Sequence, residues 1–251
     1  MKVDNRFAID NEILLEQSIR KRLCSVICGM ILGEAKINNI DSVIDRLNDT
    51  AIYNKKYIKK INNYNLLKGI APITSVFDES RDLNYIKSFL ENYLKTANIK
   101  TSEKSGIIIY IEILYRLFHY DDYKRALDKT AEASENILIN SIYKDDLLKY
   151  DWIINRKPVF LAEFEDGKDI FSYCLSQSLF CCMNNDTFEK TLSSVSVYSA
   201  YSDIIGAITG AMAGIYYQIE KMPDITLKIF ERKNDIDFII GKYYKLYKLN
   251  N

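Results

Sequence analysis

Apolar residues recur along the chain with helical spacing. Leu15, Ile19, Leu23, Val26, Ile27 and Met30 fall on one side of a helix, with Arg20, Lys21 and Arg22 on the wetter side, which predicts a long core helix over residues 11–33. A shorter helix is predicted over 40–47. The Lys-, Asn- and Tyr-rich stretch 53–64 has no clean period and reads as a loop or surface insertion, and Pro72 reads as a break. Beyond Asp78-Glu79-Ser80, the series Leu83, Ile86, Phe89, Leu90 and Leu94 predicts the next helix. Gly106 is expected to open a helix over 107–120, followed by helices over 123–138 and 141–150. Residues 152–166, with Pro158 and the turn Glu165-Asp166-Gly167, form the least helical region. Helices are predicted again over 170–182, 187–195 and 225–249.

The stretch 199–223 organises the rest. Gly206, Gly210 and Gly214 stand four apart and form one smooth ridge on a helix, widened by Ala207, Ala211 and Ala213. Each helical Gly costs about 1 kcal/mol relative to Ala, so three in register imply a close backbone partner that offsets the cost. Gly29 and Gly33 carry the same spacing near the end of the first helix and could meet that ridge. No charge lies between Asp203 and Glu220, but 16 residues are short of the roughly 18 to 20 a bilayer needs. A buried central helix is the expectation, and no membrane partner.

Composition agrees with helices around a core. The 251 residues are 48% hydrophobic with nine Gly and three Pro, which fits one all-α domain spanning 1–251. Thirty-four basic and 34 acidic residues cancel, leaving no overall field to gather nucleic acid. The first residues lack the apolar core of a signal peptide, which places the expected location in the cytoplasm. The five cysteines match neither a metal-binding CxxC nor a disulfide framework and read mostly as buried small hydrophobes.

Candidate chemistry rests on carboxylates. There is no phosphate loop, GxGxxG, HExxH or GxSxG, and His119 is the one histidine, set in an apolar helix. Asp78 and Glu79 precede one apolar helix and Asp203 begins another. Each could cap its helix, since acids near a helix start complement its dipole. Brought together, they would make an oxygen-rich site for a hard cation such as Mg²⁺.

The run Asp203-Ile-Ile-Gly-Ala-Ile-Thr-Gly-Ala-Met-Ala-Gly214, followed by Tyr216, Tyr217 and Met222-Pro223, resembles the signature of the ADP-ribosylglycohydrolase family. Gly29-Met-Ile-Leu-Gly33 is similar to that family's Gly-Asp-Ala-Leu-Gly, and Phe77-Asp78-Glu79-Ser80 falls where it carries Thr-Asp-Asp-Thr. The resemblance implies a compact orthogonal helical bundle and a cleft for ADP-ribose, with two Mg²⁺ ions in typical members. Carried over residue by residue, Asp78, Glu79 and Asp203 take metal-ligand places. Departures accompany them: Tyr201 stands in place of an Asp, Ile204 and Phe77 in place of Thr, and Met30 in place of an Asp. An acid expected shortly after the first motif is absent at Ile37, with Glu34 close by.

The resemblance therefore implies one ion at most. Its leading reading is a divergent member that binds ADP-ribose or a related nucleotide with weak or absent hydrolysis, Tyr201, Ser202, Phe77 and Ser80 lining the cleft. A Mg²⁺-dependent hydrolase using Asp78, Glu79 and Asp203, with Glu34 as an outside acid or base, is the first alternative, and a protein-interaction scaffold the second. An ADP-ribosylated protein is the implied larger partner.

Overall fold

The computed structural model describes residues 5–36, 38–49, 63–76, 83–94, 99–119, 122–140, 148–158, 160–161, 164, 169–222, 229 and 231–248. Among the described residues every regular element is helical, with no strand. In chain order the α-helices are α1 (Asn5–Glu34), α2 (Ile40–Asp49), α3 (Asn63–Ser75), α4 (Leu83–Leu94), α5 (Thr101–His119) and α6 (Tyr123–Asn140). They continue with α7 (Asp151–Ile154), α8 (Ile170–Met183), α9 (Phe188–Ser193), α10 (Ser202–Tyr217) and α11 (Lys233–Lys248). Buried apolar side chains from α1 through α11 join in one contiguous cluster. No described helix is long and apolar enough to cross a membrane.

The core is built on α1 and α10, which pack on each other more extensively than any other pair. They run antiparallel, and the two glycine series interlock. A Cβ on Gly33 would collide with the carbonyl of Gly206, and one on Gly29 with the carbonyl of Gly210. Gly214 meets the carbonyl of Ser25 in the same way. The ridge read from the sequence is thus a backbone-to-backbone seam, and it places the end of α1 beside the start of α10. From the other side α8 closes on α10, where the Ser178 hydroxyl donates to the carbonyl of Ile205 at 3.1 Å.

Three expectations are corrected. Pro72 lies inside α3 rather than breaking the chain. An interior Pro costs about 3 kcal/mol, but Leu67, Ile70 and Ile73 are completely buried, and each contributes roughly 1.5–3 kcal/mol, so packing outweighs the lost bond. Gly106 does not open α5, which begins at Thr101. Its missing Cβ makes room for the Tyr150 hydroxyl, which lies 3.0 Å from the Ser102 carbonyl and 3.2 Å from the Asp169 carboxylate that caps α8. The central helix starts at Ser202 and stops at Tyr217, because Tyr201 and Gln218 both have positive φ, 55° and 58°. The expected loop over 53–64 and the first part of the expected helix over 141–150 lie outside the described residues, though Asn63 and Tyr64 belong to α3 and Leu148–Tyr150 forms a 3₁₀ turn.

Candidate site at the paired helix ends

The seam brings two carboxylates to one end of the bundle. Asp203 is the second residue of α10, where the positive end of the helix dipole favours an anion. Its side chain does not cap the helix. The N-cap position belongs to Tyr201, without a side-chain cap bond. Glu34 is the last residue of α1, where the dipole disfavours an anion, and it is 4% exposed. A buried carboxylate at that end requires cations.

Two are supplied. The Lys68 ammonium, on α3 and 8% exposed, donates to Glu34 Oε1 at 2.9 Å and to Asp203 Oδ2 at 2.8 Å. Arg46, on α2, donates from Nη2 to the same Glu34 oxygen at 2.7 Å. Lys68 therefore bridges acids that arrive on different helices, and two positive charges face two negative ones.

The surroundings are apolar and aromatic. Met30 and Ile204, which stand where the resemblance places polar residues, are buried at 1% and 3% exposure. Tyr201 is half-buried, and its ring meets Phe164 edge-on with centroids 5.3 Å apart; Phe164 meets Tyr173 at the same separation. Ser202 is half-buried at the first position of α10. Below the acids, Cys174 on α8 is completely buried. Burial, reinforced by the charge of Asp203, pushes its thiol well above the usual range, so it is no activated nucleophile.

Compared with family models and with curated proteins, the chain matches none.

Of the residues expected at a site, Glu34, Asp203, Tyr201 and Ser202 are at this end of the bundle. Phe77, Asp78, Glu79 and Ser80 lie outside the described residues, and so does Ile37. Among the described residues no group of three or more His, Cys, Asp and Glu side chains could hold a metal. Mg²⁺ takes oxygen ligands at roughly 2.0–2.1 Å in an octahedron. The two described carboxylates instead present oxygens to an ammonium, which cannot ligate. Glu34 and Asp203 as they stand do not fit a shared ion.

Lys68 and Arg46 are the residues that sequence reasoning missed. The signal for Lys68 was a single cation inside Leu66-Leu67-Lys68-Gly69-Ile70-Ala71, since a lysine in a buried run must find an acid. His119 is exposed at the end of α5, its Nδ1 2.7 Å from the Tyr115 carbonyl and its ring on that tyrosine. A cavity of about 230 Å³ opens at the other end of the seam, lined in part by Lys21, Arg22, Tyr216 and Gln218. It is remote from the acids, and Lys21 is paired there with Glu220 at 2.6 Å.

Proposed function

We propose that the chain is a divergent ADP-ribosylglycohydrolase-like protein, an orthogonal helical bundle whose cleft binds ADP-ribose or a related nucleotide with little or no hydrolysis. The observation that carries this reading is the convergence of Glu34 and Asp203 across the Gly33–Gly206 contact. Two of the three motifs that resemble the family, Gly29–Gly33 and Asp203–Gly214, come from opposite parts of the chain and meet at one helix-end junction. Tyr201, with Phe164 behind it, offers aromatic surface at the same place.

Weak hydrolysis follows from the state of the acids. A general base must be within hydrogen-bond reach of the water it activates and free to take its proton. Both carboxylates already accept from Lys68, and Glu34 also accepts from Arg46. Glu34 Oε1 and Asp203 Oδ2 are thus held by cations, which leaves each acid a single oxygen for a water. Recognition of an ADP-ribosylated protein would use the same cleft, and no nucleic-acid partner is proposed for a chain without net charge.

Calorimetry with ADP-ribose in the presence of a chelator tests the reading. Saturable heat that falls at least tenfold in affinity in Tyr201→Ala is expected, and no binding by the unmutated protein overturns it. Release of ADP-ribose from a modified protein on adding Mg²⁺ would instead mark the hydrolase alternative.

A further inference from the structure

We infer that the Lys68 ammonium is a tethered replacement for a divalent cation, so that Glu34 and Asp203 are held together permanently by a side chain and the site works without metal. The inference stands on the acid pair alone, whatever nucleotide the cleft takes.

Two carboxylates converging from separate helices would raise each other's pKa unless a cation lies between them. In this protein the cation is on α3. Lys68 Nζ lies 2.9 Å from Glu34 Oε1 and 2.8 Å from Asp203 Oδ2, ordinary charge-assisted hydrogen bonds rather than a loose ion pair. Its side chain is 9% exposed and that of Glu34 5%, so the bridge is shielded from water and salt on the Glu34 side. Asp203 is the open side, at 42%.

Charge balance supports the same conclusion. Glu34 and Asp203 carry two negative charges, and Lys68 and Arg46 carry two positive ones at hydrogen-bond distance. Among the described residues these charges match, so Glu34 and Asp203 exert no net pull on a divalent ion, and Mg²⁺ leaves water reluctantly. An ion shared by the two acids would have to stand where the ammonium stands and would repel it. The position of Lys68 is fixed by packing as well as charge, because Leu67, Ile70 and Ala71 beside it are completely buried. The backbone that carries Lys68 is therefore held in place by the core.

Metal titration of the whole protein, followed by calorimetry and by thermal melting, tests this. Mn²⁺ and Mg²⁺ at up to about 10 mM, roughly tenfold above the Kd of the weakest calcium modules, should give no saturable heat and no shift in melting temperature. Lys68→Ala leaves Asp203 and half of the charge on Glu34 uncompensated, and should gain Mn²⁺ affinity at least tenfold, with metal restoring part of its melting temperature. Saturable Mn²⁺ binding by the unmutated protein that is lost in Asp203→Asn overturns the inference. So does a folded Lys68→Ala that ignores metal. Should Lys68→Ala not fold, the pair of measurements on the unmutated protein and Asp203→Asn decides alone. ADP-ribose binding is read separately in chelator, so either result leaves the nucleotide reading to its own test.

Discussion

Gly33 and Gly206 touch backbone to backbone, each occupying the space in which the other's Cβ would lie. The contact is reciprocal along the seam, with Gly29 and Gly210 in the same relation one turn away. It sets the distance between α1 and α10 and hence the distance between Glu34 and Asp203.

Adding a methyl group to the seam should therefore cost more than helix propensity returns. Gly33→Ala and Gly210→Ala each gain about 1 kcal/mol of propensity but force two backbones apart. We expect net destabilisation of about 1–3 kcal/mol, or a melting temperature lower by about 2–4 °C per kcal/mol. Gly241 in α11 is the control, because an added Cβ there meets nothing within 4 Å. Gly241→Ala should raise stability by about 1 kcal/mol. Thermal melts of the three variants check the contrast, and equal effects at Gly33 and Gly241 would contradict the seam.

Gln218 ends α10 with φ 58° and ψ 161°, a conformation close to one reserved for glycine, while its amide bonds the Gly214 carbonyl at 3.0 Å. Its side chain is exposed. Gln218→Gly should relieve strain without losing packing and stabilise the protein by about 1 kcal/mol. Denaturant midpoints with an unchanged slope would measure it, and a lower midpoint would refute it.

Tyr201 is also left-handed, with φ 55° and ψ 22°, but it carries a ring against Phe164. Tyr201→Gly removes roughly 1–2 kcal/mol of strain, but it gives up about 0.5–1.5 kcal/mol of aromatic contact and the burial of a half-buried ring. The losses outweigh the gain. Stability should fall by about 1–2 kcal/mol while affinity for ADP-ribose drops at least tenfold. A variant unchanged in both would remove Tyr201 from the site.

Cys24 and Cys28 lie one turn apart on α1, their sulfurs 3.8 Å from each other. A hydrogen bond from Cys28 lowers the Cys24 thiol below its ordinary pKa, whereas Cys28 is raised by that same interaction and by burial. Burial also raises Cys174, Cys181 and Cys182. Because the thiolate is the reactive form, alkylation of Cys24 should rise with pH through a midpoint below that of an ordinary thiol, ahead of the other four. Peptide mass spectrometry after a short iodoacetamide pulse resolves the order, and labelling of Cys28 first would reverse the assignment.

The seam was legible in the sequence because it is written in one residue type at one spacing, and glycine every fourth residue has few helical explanations. Lys68 was not, since its partners are 34 and 135 positions away and only folding brings them together. Pro72 misled for the opposite reason. Local propensity argued for a break, and the burial of Leu67, Ile70 and Ile73 around it prevailed. Gly106 misled because its partner, the hydroxyl of Tyr150, is distant in the sequence and only folding brings it alongside. Asp203 was correctly placed at a helix start, yet its purpose there is the ammonium rather than the helix.

The partnership of α1 and α10 also governs the order in which the chain can assemble during synthesis. The apolar face of α1, with Ile19, Leu23, Val26, Ile27 and Ile31, has its main cover in a helix that ends at Tyr217. At about 5–20 residues per second a ribosome needs roughly 10 to 40 s to travel from the end of α1 to the end of α10. For that interval the face is open to other chains, and contacts so distant in sequence also form slowly once both helices exist. Production of this protein is thus expected to depend on chaperones that hold its first helix until the second one arrives.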